Sequence, residues 1–248
     1  MHISLAAEKI AQIGPLPITN SMVMTWIAGI VLIVVAFFAT RKKSIVPRGV
    51  QNVVEMVIEF LFNTANEVIG DKKQTKKYFP LLATIFLFVL INNWLGLLPG
   101  VGTIGFNEIH HGEEVFVPIL RSGNADLNMT FALAAITIIS VQIFGIIAIG
   151  FFKYSGKFIT FKNPINTFVG FLELISEISR MISFAFRLFG NIFAGEVLLT
   201  VIAMILPYIA PLPFFGLELF VGAIQALVFT MLALVFIKMA ITDHAEEH

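Results

Sequence analysis

The chain has 248 residues, of which 58% are hydrophobic and only 13% are charged, and its mean hydropathy is +0.91. This composition excludes an ordinary soluble globular domain, and a lipid bilayer is the expected solvent. The 16 basic and 16 acidic residues cancel, so no overall field attracts nucleic acid, and the lack of cysteine excludes disulfides and thiol chemistry.

Five apolar segments are each long enough to form a helix across the ~30 Å hydrocarbon core of a bilayer, which needs about 20 residues. They cover residues 20–40, 78–98, 128–152, 164–206 and 213–241. The fourth would extend about 64 Å at ~1.5 Å per residue, so it must be strongly tilted or broken, and the fifth is also longer than an upright span requires. The predicted fold class is an all-α integral membrane protein with a single membrane domain over residues 1–248.

Between the first two spans, residues 48–70 predict an amphipathic helix. Apolar side chains recur there at helical spacing, and Glu55, Glu59, Asn63 and Glu67 lie on the opposite face. The flanking lysines favour a cytoplasmic membrane surface for this helix, and packing against a partner helix is an equal alternative.

Basic residues are concentrated on one side of the predicted membrane. They lie in two loops that contain Arg41, Lys42, Lys43, Arg48, Lys72, Lys73, Lys76, Lys77, Lys153, Lys157 and Lys162. The opposite side has only Lys9 and Arg121. By the positive-inside rule, the basic loops and the carboxyl terminus are cytoplasmic, and the amino terminus and the loop over residues 99–127 are outside.

Ionisable residues inside the last two spans are the first candidates for function. These are Glu173, Glu177, Arg180, Arg187, Glu196 and Glu218. One charge at the centre of a bilayer costs from about 2.5 to more than ~10 kcal/mol, so a charged side chain there is a functional hypothesis by default.

Helical geometry sorts these residues into faces. One narrow stripe of the long fourth span, at about 100° per residue, contains Glu173, Glu177, Arg180, Arg187 and Asn191. Glu196 points about 180° away from that stripe. On the last span, Glu218, Gly222 and Gln225 share a stripe, which we predict to face the long helix across a polar seam.

Arginine and glutamate divide the chemistry of these helices. Arginine stays protonated in proteins, so Arg187 holds a fixed positive charge and does not relay protons, whereas glutamates exchange protons with water. A fixed cation between two sets of exchangeable carboxylates is a barrier with two entrances. An equally open alternative is that Glu177 and Arg180 form an internal ion pair. Arg187 differs from Arg180, because no acid at i±3 or i±4 neutralises it.

The segment Arg187-Leu-Phe-Gly-Asn191-Ile-Phe-Ala-Gly-Glu196 resembles the signature of the ATP synthase subunit a family. Supporting motifs are Asn92-Asn93-Trp94-Leu-Gly-Leu-Leu-Pro99, Asp126-Leu-Asn128-Met-Thr130 and Gln225-Ala226. The resemblance covers nearly all of the chain.

This resemblance implies that Arg187 is the stator arginine that faces the passing carboxylate of a rotating c-ring. It implies proton-path roles for Asn191, Gln225 and Glu196, with Glu196 in the outside-facing half-channel. Glu173 takes the position of the cytoplasmic half-channel carboxylate. Some bacterial members have histidine at the position of Glu218, whereas mitochondrial and alphaproteobacterial members look similar to this chain. If Glu196 and Glu218 meet, the two acids share a proton.

The function implied by the resemblance is that of the stationary proton-translocating subunit of a rotary F-type ATP synthase, which is not an enzyme on its own. Its implied partners are the c-ring, the b-type subunits of the peripheral stalk, membrane lipid and protons. The expected location is the bacterial inner membrane, with an outside (periplasmic) amino terminus and a cytoplasmic carboxyl terminus, and the mitochondrial inner membrane is the alternative.

Two other functions fit an apolar chain. A self-contained secondary transporter or proton channel would show inverted repeats, and the sequence shows no repeat. An intramembrane hydrolase would need a nucleophile and base, or metal ligands, within the spans, and the histidines lie outside them. We predict no cofactor or metal, because Gly100-Val-Gly102-Thr-Ile-Gly105 follows a membrane helix and His110-His111 lie in a polar loop.

Overall fold

A computed structural model describes residues 7–41, 49–98, 100–110, 113–156, 158, 164–206 and 209–242. Five of its helices are long and apolar enough to cross a membrane. They are α1 (Asn20–Arg41), α3 (Lys72–Gly96), α4 (Leu127–Ile149), α6 (Pro164–Ile205) and α7 (Pro211–Ile241). The predicted all-α membrane class with five spans is thereby confirmed.

Several predicted features fall outside the described residues. They are Lys42, Lys43, Arg48, Pro99, His111, Lys157, Lys162 and the carboxyl-terminal residues 243–248.

The long fourth span is one continuous helix of 42 residues in α6. Of the two options left by its length, a tilted helix or a broken one, the structure therefore has the unbroken helix. At ~1.5 Å per residue it extends about 63 Å, so it must tilt or project beyond a ~30 Å hydrocarbon core.

The amphipathic helix is α2 (Val50–Ile69), and its apolar face is divided between two surroundings. Leu61 and Ala65 are buried against the bundle, where α2 packs on α3, α1 and α7. Val53, Met56 and Phe60 remain exposed. The helix therefore both packs against the bundle and keeps an apolar strip for a membrane surface or another chain.

Two features differ from the prediction. Two β-hairpins, β1 (Lys9–Ile13) with β2 (Leu16–Thr19) and β3 (Gly105–His110) with β4 (Glu113–Pro118), flank the helices in segments predicted as loops. The third span ends at Ile149, because Gly150 adopts a φ of 94°, a left-handed conformation that favours glycine and stops the helix. A short separate helix, α5 (Phe151–Gly156), follows.

The chain direction gives the bundle two ends. The hairpin end carries both β-hairpins together with the start of α4 and the end of α3, and the basic end carries Arg41, Lys72 and α5. Large apolar side chains such as Ile33, Phe38, Ile165 and Phe152 are exposed between and around these ends. An outward apolar surface is what a bilayer requires and water does not tolerate.

At the hairpin end, residues 121–126 form a buried segment before α4, although the sequence placed them in an exterior loop. All six residues are buried, and the segment packs against α1, α3, α4 and α6. Asp126 caps α4 by accepting a hydrogen bond from the Asn128 backbone N–H at 3.0 Å, and Ser21 Oγ donates to Asp126 Oδ2 at 2.8 Å. The Asp126-Leu-Asn128 motif is therefore a helix cap tied to α1.

The paired asparagines at the end of α3 join the same region to α7. Asn93 Nδ2 donates to the Gly222 carbonyl at 2.9 Å, and Asn124 Nδ2 donates to Asn93 Oδ1 at 2.6 Å. Asn92 and Asn124 are fully buried, and Ser122 Oγ donates to the Asn92 carbonyl at 3.4 Å. These hydrogen bonds join α3, α7 and the buried segment, and the Asn92 and Asn124 side-chain oxygens stay buried without a partner among the described residues.

We expect Asn93→Leu to lower the stability of the folded protein by about 1–3 kcal/mol, because it leaves the Asn124 amide and the Gly222 carbonyl without their partner. The measurement is the thermal unfolding midpoint of the detergent-purified protein. Thr84→Val is the matched control, since Thr84 is an exposed residue of the same helix whose hydroxyl bonds only to the Pro80 carbonyl. Equal midpoints for the two variants would contradict this role of the asparagine.

Candidate functional site

A cavity of about 450 Å³ opens at the hairpin end of the bundle. It lies between the end of α3, the buried segment and the facing parts of α6 and α7. Charged and amide side chains line it among apolar ones, and these are Glu8, Asn93, Arg121, Glu196 and Glu218. This cavity, which we call the hairpin-end cavity, is walled by α3, α6 and α7 together with loop and strand residues of the hairpin end.

Glu196 projects from α6 into this cavity and pairs with Arg121 of the buried segment. The Arg121 Nε lies 3.2 Å from Glu196 Oε1 and 3.3 Å from Oε2, so it contacts both carboxylate oxygens. The arginine side chain is only 6% exposed, whereas that of Glu196 is 37% exposed. The guanidinium also lies 6.0 Å from the centre of the Phe193 ring.

Glu218 reaches the same cavity from α7 and is buried. Its carboxyl group lies against the backbone of Gly195, where a Cβ would overlap it. Among the described residues, Glu218 has no ion-pair partner. The two acids that the sequence left as a potential pair therefore face one cavity, one with a cation and one without.

The predicted polar seam between α6 and α7 forms at two of its three positions. Asn191 Nδ2 donates to Gln225 Oε1 at 3.3 Å, and Glu218 lies on Gly195. Gly222 instead faces Asn93 of α3. The Gln225 Nε2 group is buried without a hydrogen-bond partner among the described residues, so the seam keeps an unused donor.

Arg187 lies beside this seam on an exposed strip of α6. The strip, which we call the Arg187 face, contains Ser179, Ser183, Arg187, Gly190, Ala194, Leu198 and Val201, all exposed. No acidic side chain in the described part of the chain lies within ion-pair distance of Arg187. A Cβ added at Gly190 would meet only open space.

At the basic end, the remaining charges of α6 pair with one another. Arg180 lies 2.6 Å from Glu177 and 3.7 Å from Glu173, and its guanidinium lies 5.1 Å from the centre of the Phe236 ring. The alternative of an internal Glu177 and Arg180 ion pair is therefore the observed one. Glu173, the predicted half-channel acid, belongs to the same cluster.

Tyr154 of α5 lies near enough to this cluster to sense its charges. It is buried, and its hydroxyl donates a hydrogen bond to Gln142 Oε1 of α4. Burial, and then the nearby carboxylates of Glu177 and Glu173, raise the pKa of Tyr154 to about 12, with Arg180 acting in the opposite direction. The phenol is therefore neutral at physiological pH and acts as a donor.

Sequence reasoning placed Arg187, Glu196, Glu218, Asn191, Gln225 and Glu173 on α6 and α7, and the structure resolves them into three groups. Sequence reasoning missed Arg121, which lies on a loop segment, and Tyr154, which lies on a short helix. One signal was available for Arg121, because it is the only basic residue in the loop over 99–127.

Glutamates in these groups can exchange protons, and arginines can hold fixed charge. Among the described residues, no group of three or more His, Cys, Asp or Glu side chains is arranged to hold a metal ion. The arrangement suits proton movement from either end towards Arg187.

Comparison with known proteins gives a consistent family. Residues 22–238 match the sequence profile of the ATP synthase A chain family. The ATP synthase subunit a of Moorella thermoacetica is 36% identical over 95% of this chain and 97% of its own length. The subunit a proteins of Gloeobacter violaceus and Campylobacter concisus are 38% and 32% identical, over 96% and 90% of this chain and 90% and 89% of their own lengths.

We expect Gly195→Ala to displace the Glu218 carboxyl group at a cost in stability below about 1 kcal/mol, because the atoms that a Cβ would overlap are the end of a flexible side chain. The thermal unfolding midpoint in detergent is the measurement. Gly216→Ala is the control, because a Cβ there meets nothing and alanine is the better helix former by about 1 kcal/mol. A Gly195→Ala midpoint far below that of the control would mean that the Glu218 carboxyl group cannot move aside.

We expect Tyr154→Phe to lower the unfolding midpoint at neutral pH, because it removes the buried hydrogen bond to Gln142, worth about 1 kcal/mol. The phenol has an ordinary pKa of 10.0 and a folded pKa of about 12, so its contribution is complete below pH 10 and is lost as the pH rises towards 12. The midpoint difference between wild type and variant should therefore shrink over that window. A difference that stays constant from neutral pH to pH 12 would refute the shift.

Proposed function

Because this chain belongs to the ATP synthase A chain family, we propose that it is the stationary proton-translocating subunit of a rotary F-type ATP synthase. In this proposal it forms two offset half-channels against a ring of c subunits and couples proton flow to ring rotation. The observation that carries the proposal is Arg187, an exposed cation on a membrane helix with no acidic partner among the described residues. Such a charge is costly in lipid and calls for a partner of opposite charge.

The Arg187 face has the shape expected for contact with another membrane helix. Ser179, Ser183, Gly190 and Ala194 are small, so they let a second backbone approach closely around the arginine. A carboxylate on the approaching helix would neutralise Arg187. A rotor that presents one carboxylate per helix supplies such a partner repeatedly as it turns.

The half-channel from outside is the hairpin-end cavity. Protons enter it, reach Glu196 and Glu218, and pass along the seam of Asn191 and Gln225 to the rotor carboxylate. The unused Gln225 Nε2 donor suits a bound water in that seam. The other half-channel begins at Glu173, in the Arg180 cluster at the basic end.

Arg187 separates the two half-channels in this mechanism. A fixed positive charge repels a proton that would pass directly between them, so each proton must travel on the rotor. The membrane potential supplies about 2.3 kcal/mol per proton per 100 mV, and the pH difference adds to it. Several protons are needed for each ATP.

The basic end is cytoplasmic in this proposal, and the amino terminus and hairpin end are outside, in the periplasm of a bacterial inner membrane. Arg41 and the lysines at the start of α3 support this orientation by the positive-inside rule. The exposed strip of α2, with Val53, Met56 and Phe60, is available to lipid or to the b-type subunits of the peripheral stalk.

We expect Arg187→Ala to reduce both ATP synthesis and ATP-driven proton pumping at least about tenfold, or about 1.4 kcal/mol in the limiting step, in membranes that still contain assembled complex. Arg187→Lys should restore the charge but not the guanidinium geometry, so it should recover only part of the activity.

Arg41→Ala is the matched control, because Arg41 is an exposed arginine at the end of α1, away from the Arg187 face. It should leave both activities near those of the wild type. Near-normal coupled synthesis and pumping in Arg187→Ala, with normal amounts of complex, would overturn the proposed function.

A further inference from the structure

Arg121 occupies an unusual position for a residue between two membrane helices. It belongs to the buried segment, its side chain is 6% exposed, and it lies in the wall of the hairpin-end cavity. Its partner Glu196 is 75 residues further along the chain. The route proposed above for protons, from Glu196 and Glu218 to the rotor, gives Arg121 no part.

Burying an arginine needs compensation, because a desolvated guanidinium is stable only when charge and hydrogen bonds are restored to it. Glu196 supplies both, at 3.2 Å and 3.3 Å from Nε. The Phe193 ring, 6.0 Å from the guanidinium carbon, adds a cation–π contact from the same helix. Arg121 is therefore held against one strip of α6 that ends at Glu196.

The acids of the cavity explain why a cation is needed there. Glu196 and Glu218 line one enclosed space, and Glu8 lines it as well. Carboxylates that meet in such a space repel each other or share a proton, and a shared proton is held more tightly than a proton in transit. Arg121 offsets the charge of Glu196 and holds its carboxylate against the buried segment, while the Glu218 carboxyl group lies against the backbone of Gly195 in α6.

We propose that Arg121 is a positioning residue of the outer proton entrance, which holds the Glu196 carboxylate apart from Glu218 so that the two acids carry protons singly. This inference rests on the proposed function. Arg121 takes up and releases no proton itself, and it acts on proton flow through Glu196. Its effect on proton flow therefore depends on the carboxylate of Glu196 being present.

The test is a double-mutant cycle in the assembled complex. Membranes carrying Arg121→Gln, Arg121→Lys, Glu196→Gln and the two double variants are compared for ATP-driven proton pumping, normalised to the amount of complex. Lys9→Gln is the control for removal of a basic residue at the same end, because Lys9 is exposed and bonds only to Gln12 in the described structure. Arg187→Ala is included to test the proposed function in the same membranes.

We expect Arg121→Gln to lower pumping about as much as Glu196→Gln does, and Arg121→Lys to restore most of it. Adding Arg121→Gln to Glu196→Gln should change pumping by less than about twofold, because residues that act through one another are not additive. Because pumping is normalised to the amount of complex, a residue whose role is merely in folding or assembly would lower that amount and leave the normalised pumping unchanged.

Three results would overturn the inference. They are normal pumping in Arg121→Gln, an equal loss from Arg121→Gln with and without Glu196, and no recovery with lysine. If Arg121→Gln prevents assembly, the same comparison is made with Arg121→Lys, whose deficit must disappear in the Glu196→Gln background. Normal pumping in Arg187→Ala would refute the proposed function. Normal pumping in Arg121→Gln, together with lost pumping in Arg187→Ala, would refute this inference alone.

Discussion

Hydrocarbon cannot solvate a charge or an amide, and this constraint determines where polar side chains lie in the chain. Several polar groups are joined to one another inside the bundle: Arg121 to Glu196, Arg180 to Glu177, and Asn93 to Asn124 and Gly222. These pairs tie α3, α6, α7 and the buried segment together at the places where apolar packing alone would leave their relative register open. The polar groups thus specify the arrangement that the apolar core stabilises.

Among the described residues, Arg187 has no acidic partner, unlike Arg121 and Arg180. It lies among small residues on an outward face, next to Asn191, whose side-chain amide donates a hydrogen bond to Gln225 of α7. In the function proposed above, the compensating carboxylate arrives from another chain. An incomplete charge balance in one subunit would then make its contact with a moving partner both attractive and renewable.

Much of this architecture is readable from the sequence because lipid imposes simple rules. Apolar length predicts the five spans but left open whether the fourth was tilted or broken, and helical spacing predicts that Glu196 lies on the opposite side of the helix from Arg187. Arg121 and Tyr154 were not predicted, since their partners lie far along the chain or in a different helix, and no periodic pattern reports such contacts. The hairpins were not predicted for another reason. Their strands have only four to six residues and lie in polar segments, so the alternation of apolar and polar side chains is too short to detect.

The buried segment also has a consequence for how the chain is made. Its residues pack against α6, which follows later in the sequence. Glu196, the ion-pair partner of Arg121, is synthesised 75 residues after it. At about 5–20 residues per second of synthesis, that interval is about 4–15 s, during which the arginine must stay in water or among lipid headgroups. A chain cut short before α6 would lack both the partner of Arg121 and one wall of the hairpin-end cavity. In the function proposed above, such an unfinished chain would have no outer proton entrance.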